Sequence, residues 1–565
     1  MVRQTLAPTE PYDLAIIGTG VAGALIGSRL AEVGLRVVML DAGPRVDRDE
    51  SVNIYRGVVA KTPESPYPET AWAPHPSVLD LSHYYVQSGA DTFSSTYIRR
   101  VGGTTWHWLG SMIRLLPADF AMQREHGVGV GWPLSYAQME PWYLEAEIEL
   151  GVSGNSAYDL GSPRSAPYPL PPIPMTYGDS LMIGAANEDG LAVDPTPQAR
   201  NSVVYQGRPQ CCGNAMCIPI CPIQAKYDAT VHVSRAEQAG ALVVENAVAF
   251  AIDIDSEGSV TGIRYKTPDN AEQSVAASVY VVAANAIETA KLLLISRTEA
   301  LPNGVANSSD QVGRHLCDHP TKLSIAAANE PAWPYRSPLA TAGIEVLREG
   351  AFRDQRSAFR IEIGNDGWSW PGLDPIGLAQ QLIGQGIVGE ELFRLIGERI
   401  PHQVRLASLC EQLPNPDSRI VADETAVDAL GIPRPRLSYV VDDYTLRGLA
   451  AAEAVHDRLF DALGVSFRQH VDGYQGAGHV MGTHRMGDDA ATSVTDADGR
   501  THDHPNLFLA GAGLFPTTGT ANPTATVAAL ALRTASVIAA EFGRSTPLPG
   551  ASSAASPVAV ASQSP

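Results

Sequence analysis

The sequence predicts an α/β protein whose chain passes repeatedly between two domains. Three observations lead to this prediction. An apolar run at residues 14–17 is followed at once by a glycine-rich turn and a helical stretch, strand-like runs return at residues 241–251, 260–265 and 278–284, and a further strand, glycine turn and helix occur within residues 506–542. A strand that runs through a glycine turn into a helix is typical of a Rossmann-like dinucleotide-binding domain. We therefore expect a sheet assembled from distant parts of the chain.

The N-terminal turn carries the spacing Gly18-x-Gly20-x-x-Gly23. The first glycine allows a tight turn, the second lets the backbone approach a pyrophosphate, and the third permits close packing of the helix on the strand. The second strand ends in a turn made of Asp41, Ala42 and Gly43. An acidic residue at this place can bind the ribose hydroxyl groups. The motif predicts a bound dinucleotide, but it does not separate NAD from FAD.

A second glycine turn lies near the C terminus. The apolar run at residues 507–510 leads to Gly513 and later to Asn522, Pro523 and Thr524, where the proline marks the start of a helix. A helix N-terminus carries unpaired N–H groups and a partial positive charge, so it can face an anionic part of a cofactor. We expect this turn to complete the site that the first turn begins.

The length of the chain allows two or three domains. At 565 residues and 60.0 kDa it can bury a large core. The pattern of strands and helices assigns residues 8–160, 205–320 and 475–543 to the dinucleotide-binding domain. Residues 161–204 and 321–474 are assigned to an α+β substrate-binding domain. Residues 544–565 are rich in Ser, Pro and Ala without periodicity, so we expect a disordered tail.

Charge and hydropathy exclude several classes of partner. A formal net charge of -21 argues against binding to nucleic acid or to anionic lipid. The first residues show no secretion signal. Residues 524–542 are Ala-rich and are interrupted by Arg533 and Glu541, so we expect the last helix of the dinucleotide-binding domain there and no direct membrane span.

Four of the six cysteines fall within eleven residues: Cys211, Cys212, Cys217 and Cys221. The part Cys217-x3-Cys221-Pro222 repeats the end of the bacterial ferredoxin run, whereas the preceding Cys-Cys-x4-Cys does not match that spacing. The pattern favours an iron–sulfur cluster in a loop at residues 211–222. A structural zinc site, a disulfide or inert buried thiols are the alternatives.

The motifs together resemble the glucose-methanol-choline (GMC) family of flavoprotein oxidoreductases. The resemblance rests on the two glycine turns and on residues 101–108, 283–289 and 478–487. It implies a GMC fold, in which a Rossmann-like FAD-binding domain carries a discontinuous α+β substrate-binding domain. It also implies that FAD is bound by further residues, namely Gly102, Gly103, Thr104, Thr105, His107, Trp108, Val248 and Ala284. For His107 a covalent bond to the flavin, a close non-covalent contact and a core position all remain open.

The resemblance also places the catalytic residues. It assigns the base that accepts the hydroxyl proton to His479 and the residue that orients the substrate hydroxyl to Asn522. A neutral imidazole is well matched to proton transfer near pH 7. His484 is expected to be structural, and Arg485 is expected to pair with a carboxylate.

The cysteine run narrows the resemblance to the catalytic subunits of bacterial FAD-dependent sugar dehydrogenases, a group that includes glucose, fructose, sorbitol and gluconate dehydrogenases. It implies oxidation of a sugar or polyol CH–OH group and exit of electrons through a three-iron four-sulfur cluster, with Cys211, Cys217 and Cys221 favoured as ligands. It further implies a small chaperone-like subunit, a multihaem cytochrome c subunit and a location at the periplasmic face of the inner membrane, with the cytoplasm as the alternative.

Two other functions remain open at this point. One is oxidation at C3 of glucose or of a glycoside. The other is a flavin and iron–sulfur electron carrier that oxidises no alcohol itself. An oxygen-consuming oxidase is disfavoured, because an oxidase needs no exit for single electrons. The segment Thr483-His484-Arg485 departs from the glucose enzyme, so the identity of the sugar is left open.

Overall fold

The computed structural model describes residues 11–59, 61–368 and 374–546. Most of the predicted disordered tail and the first ten residues lie outside these ranges. The strands are β1 Tyr12–Ile17, β2 Val37–Leu40, β3 Val86–Gln87, β4 Asp194–Pro195, β5 Leu242–Val244, β6 Val248–Ile254, β7 Val260–Lys266, β8 Glu272–Val275, β9 Ala277–Val282, β10 Thr321–Ala328, β11 Ala340–Ile344, β12 Phe359–Gly364, β13 Gln403–Cys410, β14 Arg419–Val427, β15 Pro433–Ser438, β16 Val465–His470 and β17 Leu507–Leu509. The helices are α1 Val21–Glu32, α2 Arg48–Gly57, α3 Met122–His126, α4 Tyr136–Leu150, α5 Tyr177–Glu188, α6 Thr230–Gln238, α7 Asn285–Ile295, α8 Pro375–Gly384, α9 Gly389–Arg399, α10 Asp443–Leu463 and α11 Thr524–Glu541.

A five-stranded parallel sheet forms the first layer, in the order β17-β9-β1-β2-β5. Its strands come from both ends and the middle of the chain, as the sequence predicts. They are continuous apolar runs because both faces of the sheet are covered. The helices α1 and α11 pack on each other over this sheet. The carboxyl ends of β1, β9 and β17 therefore meet at one edge, where a ligand binds in open α/β sheets.

A six-stranded antiparallel sheet forms the second layer, in the order β16-β10-β13-β12-β11-β4. The face that carries Phe359, Ile361 and Leu406 packs against the long helix α10 and makes a second hydrophobic core. The opposite face of β10, β12 and β13 is turned towards a cavity. All strands of this sheet lie within residues 161–204 and 321–474.

Two features differ from the sequence-based expectations. The run at residues 241–251 forms two strands, β5 and β6, because Asn246 adopts a left-handed conformation with φ of 58° and turns the chain between them. Strands β14, β15 and β3 form a separate three-stranded sheet in that order, and Ile420 and Leu437 join the core of the parallel sheet. This part of the predicted substrate-binding region therefore packs with the other domain.

Helix α11 is, within the described residues, the one helix long and apolar enough to cross a membrane. In the fold, 67% of this 18-residue stretch is buried, and the helix packs against α1 and α4. Burial inside the protein accounts for its apolar composition.

Candidate active site

A cavity of about 890 Å³ lies between the carboxyl edge of the parallel sheet and the open face of the antiparallel sheet. The glycine turn after β1, most of residues 94–111 and the start of α11 line one part of it. Side chains of β10, β12 and β13 line the other part. The cavity therefore joins the predicted dinucleotide site to the predicted substrate region.

The start of α1 forms an anion-binding turn. Gly20 is the N-cap of α1, and neither a capping side chain nor an acidic residue in the first turn competes for its N–H groups. Gly18 has φ of +97°, and a Cβ there would lie 2.5 Å from the carbonyl oxygen of Ala283. A Cβ on Gly20 would meet nothing within 4 Å, so the helix start is open to the cavity. These features fit the pyrophosphate of FAD.

Asp41 is held beside this turn by the backbone. Its carboxylate accepts hydrogen bonds from the N–H groups of Thr19 and Gly43, each at 3.1 Å. Burial raises the pKa of Asp41, while the hydrogen bonds from Thr19 and Gly43 oppose that shift. The carboxylate lines the cavity, as binding of a ribose hydroxyl requires.

The start of α11 forms the second cradle. Asn522, Pro523 and Thr524 line the cavity, and the first turn of the helix contains no acidic residue. Gly511, with φ of +110°, lies in the preceding turn and leaves open space where a Cβ would stand. The positive end of the helix therefore points at the cavity without a side chain that neutralises it.

Most residues predicted to bind the cofactor line this cavity, namely Gly18, Gly20, Asp41, Ala42, Gly103, Thr104, Thr105, His107, Trp108, Val248, Ala284, Asn522, Pro523 and Thr524. Four predicted residues do not: Gly23, Gly43, Gly102 and Gly513. Each is instead required for close packing. A Cβ would lie 2.0 Å from the Gly18 carbonyl oxygen at Gly23, 1.8 Å from the Arg99 carbonyl oxygen at Gly43, 2.8 Å from Trp106 Nε1 at Gly102 and 1.9 Å from His484 Cε1 at Gly513.

Two histidines meet at the boundary between the two parts of the cavity. Nδ1 of His479 lies 2.9 Å from Nδ1 of His319, and Nε2 of His319 lies 3.0 Å from the carbonyl oxygen of Gly519. Asp318 holds the backbone of this pair in place, because its carboxylate accepts hydrogen bonds from the backbone N–H groups of His319, at 2.7 Å, and His479, at 3.0 Å.

These contacts determine which nitrogen atoms carry protons. A carbonyl oxygen only accepts, so Nε2 of His319 is protonated and donates to Gly519. Burial lowers the pKa of His319 to about 4, so the ring is neutral and its Nδ1 accepts from Nδ1–H of His479. Burial, followed by the nearby His319 and Arg360, holds the pKa of His479 well below its usual value. His479 is therefore neutral, with a lone pair on Nε2.

Asn522 lies on the Nε2 side of His479. Its Nδ2 is 3.3 Å from His479 Nε2, and its Oδ1 is 3.5 Å from Nη1 of the buried Arg360. Because a guanidinium only donates, Arg360 holds the amide with its oxygen turned away and its NH2 group turned towards His479. Both His479 and Asn522 line the cavity, so the structure brings together the two residues predicted to act in catalysis.

The other predicted histidines take different places. His107 lines the cavity, its Nδ1 lies 3.2 Å from the carbonyl oxygen of Pro63, and burial lowers its pKa to about 4. His484 is fully buried beneath Gly513, and its Nδ1 lies 3.1 Å from the hydroxyl of Thr483. The carboxylate partner predicted for Arg485 is not found in the part of the chain that the structure describes. Its Nε instead donates to the carbonyl of Thr492 at 3.2 Å.

The cysteine loop has two sides. Ala215, Ile218 and Pro219 line the large cavity. All four cysteines of the loop line a separate small cavity on the other side, with a volume of about 10 Å³. They are free thiols: Cys217 is buried, Cys211 and Cys221 are partly buried, and Cys212 is exposed.

Lys226 ties this loop to the wall of the large cavity. Its ammonium group is buried and donates to the carbonyl oxygens of Cys217, at 2.9 Å, and of Trp106, at 3.0 Å. Burial lowers the pKa of Lys226 to about 8, and the thiols of Cys217 and Cys221 oppose that shift. The positive charge therefore lies close to the sulfur atoms.

The thiols suit an iron–sulfur cluster chemically, but their spacing does not yet form a metal site. Backbone N–H groups of Gly213 and Lys226 point at the sulfur atoms of Cys211 and Cys221, at 3.5 and 3.4 Å, and such N–H donors stabilise cluster sulfur. Within the described ranges, no group of three metal-ligating side chains is arranged to hold an ion.

Three residues of this site could not be predicted from the sequence: His319, Lys226 and Arg360. His319 carries a weak signal, since it lies in Asp318-His319-Pro320 directly before a strand. Lys226 and Arg360 carry none, because only loop packing and strand pairing bring Lys226 to the cysteine loop and Arg360 to Asn522.

Comparisons with known proteins agree with this architecture. Residues 171–321 and 414–531 match the two family models described as GMC oxidoreductase. The fructose dehydrogenase large subunit of Gluconobacter japonicus is 38% identical over 543 residues, which cover 94% of this chain and 98% of the relative. The 6'''-hydroxyparomomycin C oxidase of Streptomyces lividus is 30% identical over 94% of this chain and 92% of its own.

A solved structure with a similar fold also covers nearly the whole chain. A structure of formate oxidase from Aspergillus oryzae, solved to study FAD modification, superimposes with a TM-score of 0.66. It covers 95% of this chain and 100% of the other at 14% identity. At that identity the likeness shows the fold alone.

Proposed function

This chain belongs to the GMC oxidoreductase family and is an FAD-dependent enzyme acting on CH–OH groups, and on that premise we propose that it is a dehydrogenase of sugars or polyols. A relative that is 38% identical is named as a fructose dehydrogenase large subunit. When bound, FAD accepts the hydride from the carbon that bears the hydroxyl group. The remaining chemistry is that of the chain's own residues.

The observation that carries the proposal is the relay from Gly519 through His319 to His479. It leaves a lone pair on Nε2 of His479, directed to the cavity beside Asn522. We infer that Nε2 takes the hydroxyl proton while the hydride leaves the same carbon, so that CH–OH becomes C=O. The imidazolium that forms keeps its hydrogen bond to His319. Proton transfer of this kind contributes roughly 10²–10⁴-fold.

Asn522 serves as the residue that orients the substrate. Arg360 fixes the amide, so that its NH2 group can donate to the substrate oxygen without competing for the proton. The proposed role is positional, and positioning of a reacting group within a few tenths of an ångström accounts for large rate effects.

We propose that electrons leave through an iron–sulfur cluster, with three iron atoms favoured, held in the loop at residues 211–222. Residues of this loop line the large cavity, and its cysteines line the small cavity on the other side, which supports transfer of electrons across the loop. The exposed position of Cys212 favours Cys211, Cys217 and Cys221 as ligands. The buried charge of Lys226 would stabilise an anionic cluster.

We further propose partner subunits. The word "large subunit" in the name of the fructose-oxidising relative supports an assembly for that protein, and the predicted chaperone-like and cytochrome c subunits would give this chain an electron acceptor. Location at the periplasmic face of the inner membrane is part of the same proposal. Co-purification of a haem-containing subunit with a tagged chain from membranes would support it, and a chain that purifies alone from the cytosol would contradict it.

The proposed function is tested by anaerobic spectral titration. The purified chain should show a flavin spectrum that bleaches on addition of at least one of glucose, fructose, sorbitol, gluconate or a glucoside, with the oxidised product identified chemically. A folded protein without FAD, or a flavin that none of these compounds reduces, would refute the proposal.

A further inference from the structure

The open face of the antiparallel sheet forms the floor of the cavity. Strand pairing places Leu323, Ala407 and Glu362 in one row across β10, β13 and β12. The next row contains Arg405 and Gly364. Alternation along each strand turns these residues to the same face. The floor is therefore apolar at Leu323 and Ala407 and becomes charged at Glu362 and Arg405.

Arg405 is locked flat on this floor. Its Nε donates to Asp366 at 2.8 Å and its Nη2 to Glu362 at 3.3 Å. A Cβ at Gly364 would lie 2.5 Å from Arg405 Nε, so only glycine leaves room for the guanidinium to lie against the sheet. Arg405, Glu362 and Asp366 all line the cavity and are otherwise buried.

The same network reaches the catalytic residues. Glu362 is also 3.6 Å from Arg360, which pairs with Glu345 at 2.9 Å and approaches Asn522. Arg348 also approaches Glu345, at 3.8 Å, so three guanidinium groups share three carboxylates and the network as a whole is balanced. Of its members only Arg405, Glu362 and Asp366 line the cavity, which places two carboxylates and one guanidinium at the cavity wall. The contacts lead from Asn522 through Arg360 and Glu362 to Arg405, so a substrate held near Asn522 can extend towards this charged strip.

We propose that Arg405, Glu362 and Asp366 form a subsite that binds two neighbouring hydroxyl groups of a neutral polyhydroxylated substrate, remote from the carbon that is oxidised. The inference rests on the proposed function. A hydroxyl group both donates and accepts, so it can donate to a carboxylate and accept from a guanidinium, and adjacent hydroxyl groups match the fixed spacing of such a pair. Leu323 and Ala407 offer an apolar surface to the C–H groups of the same chain.

The charge of the subsite determines its preference. Two carboxylates face the substrate here against one guanidinium, so a substrate whose far end is a carboxylate is disfavoured, because two of the three lining groups would repel it. Neutral polyols should therefore bind better than the corresponding sugar acid. Sorbitol and gluconate make a matched pair, since both are six-carbon chains and they differ in one terminal carboxylate.

The test is calorimetric titration of the oxidised FAD-loaded enzyme under anaerobic conditions with fructose, glucose, sorbitol and gluconate. Arg405→Met should weaken binding of the neutral compounds about 10- to 100-fold, the effect of losing a hydrogen bond to a charged group. Asp366→Asn should narrow the preference for sorbitol over gluconate. Arg468→Met is the matched control, because Arg468 lies on β16 of the same sheet and is paired with Asp461 at the surface.

The outcomes separate the subsite from the proposed function. The subsite would be overturned if Arg405→Met bound the neutral compounds with unchanged affinity. It would also be overturned if the enzyme bound gluconate more strongly than every neutral compound, or bound no neutral compound at all. Flavin bleaching is recorded in the same samples. Binding that depends on Arg405 without bleaching would support the subsite and remove the dehydrogenase proposal. If Arg405→Met fails to fold, Asp366→Asn alone decides the charge preference.

Discussion

Replacement of His319 with leucine should slow flavin reduction while leaving FAD bound. His319 does not line the cavity, and it acts only through its contact of 2.9 Å with Nδ1 of His479. Leucine fills a similar volume but cannot accept a hydrogen bond. Nδ1–H of His479 would then be buried without a partner, or the ring would move its proton to Nε2 and lose the lone pair that takes the substrate proton.

The size of the decrease in rate follows from the hydrogen bond between His319 and His479 that is lost. A buried donor without a partner costs about 1–3 kcal/mol, which corresponds to roughly 5- to 150-fold in rate at about 1.4 kcal/mol per tenfold change. A complete change of tautomer would remove the whole contribution of the base, roughly 10²–10⁴-fold. The rate of flavin reduction in His319→Leu should therefore fall by at least about 5-fold, and by no more than the loss caused by removing His479 itself.

The assay is the rate of flavin bleaching in an anaerobic stopped-flow experiment at saturating substrate. His319→Asn is the matched variant, because an amide oxygen can accept from Nδ1–H and should recover part of the rate. Since the pKa of His479 is lowered, the wild-type ring stays unprotonated as the pH falls, and the rate should stay level from about pH 8 to about pH 6. A wild-type rate in His319→Leu, or equal rates in the leucine and asparagine variants, would refute the relay.

Three further predictions concern the cofactors. Asp41→Ala should weaken FAD retention by about 1.5–3 kcal/mol, the value of one hydrogen bond to a charged group, as measured by equilibrium dialysis, and unchanged retention would exclude a ribose contact. Acid precipitation should release FAD from the wild type if His107 only contacts the flavin. If His107 holds the flavin covalently, the flavin stays with the precipitated protein, and the His107→Ala variant should release it. Cys217→Ser should abolish the cluster signal in electron paramagnetic resonance and cytochrome reduction while sugar still bleaches the flavin once. Cys212→Ser, at the exposed position, should retain the signal, and zinc without iron in the purified protein would identify a structural site.

The sequence is informative where function depends on local spacing. The glycine turn after β1, the acidic end of β2 and the start of α11 could be predicted because their roles follow from the backbone conformation of a few neighbouring residues. The role of Gly513 could not, since the reason for a glycine there is the ring of His484, which comes from a different turn.

Long-range pairing determines the rest of the site. His319 and His479 are 160 residues apart in the chain and meet only because β10 begins beside the C-terminal turns. Arg405 gains its place through the register of β12 and β13, which sets Gly364 opposite it. Periodicity reports that a strand has two faces, but it does not report which partner lies across from each residue.

The most direct test of the account compares single-turnover flavin reduction in the wild type, His479→Ala and His484→Ala. All three proteins should retain FAD. His479→Ala should be slower by roughly 10²–10⁴-fold, whereas His484→Ala, altered at a buried residue away from the cavity, should stay much closer to the wild type. A wild-type rate in His479→Ala, or a larger loss in His484→Ala than in His479→Ala, would contradict the assignment of the base.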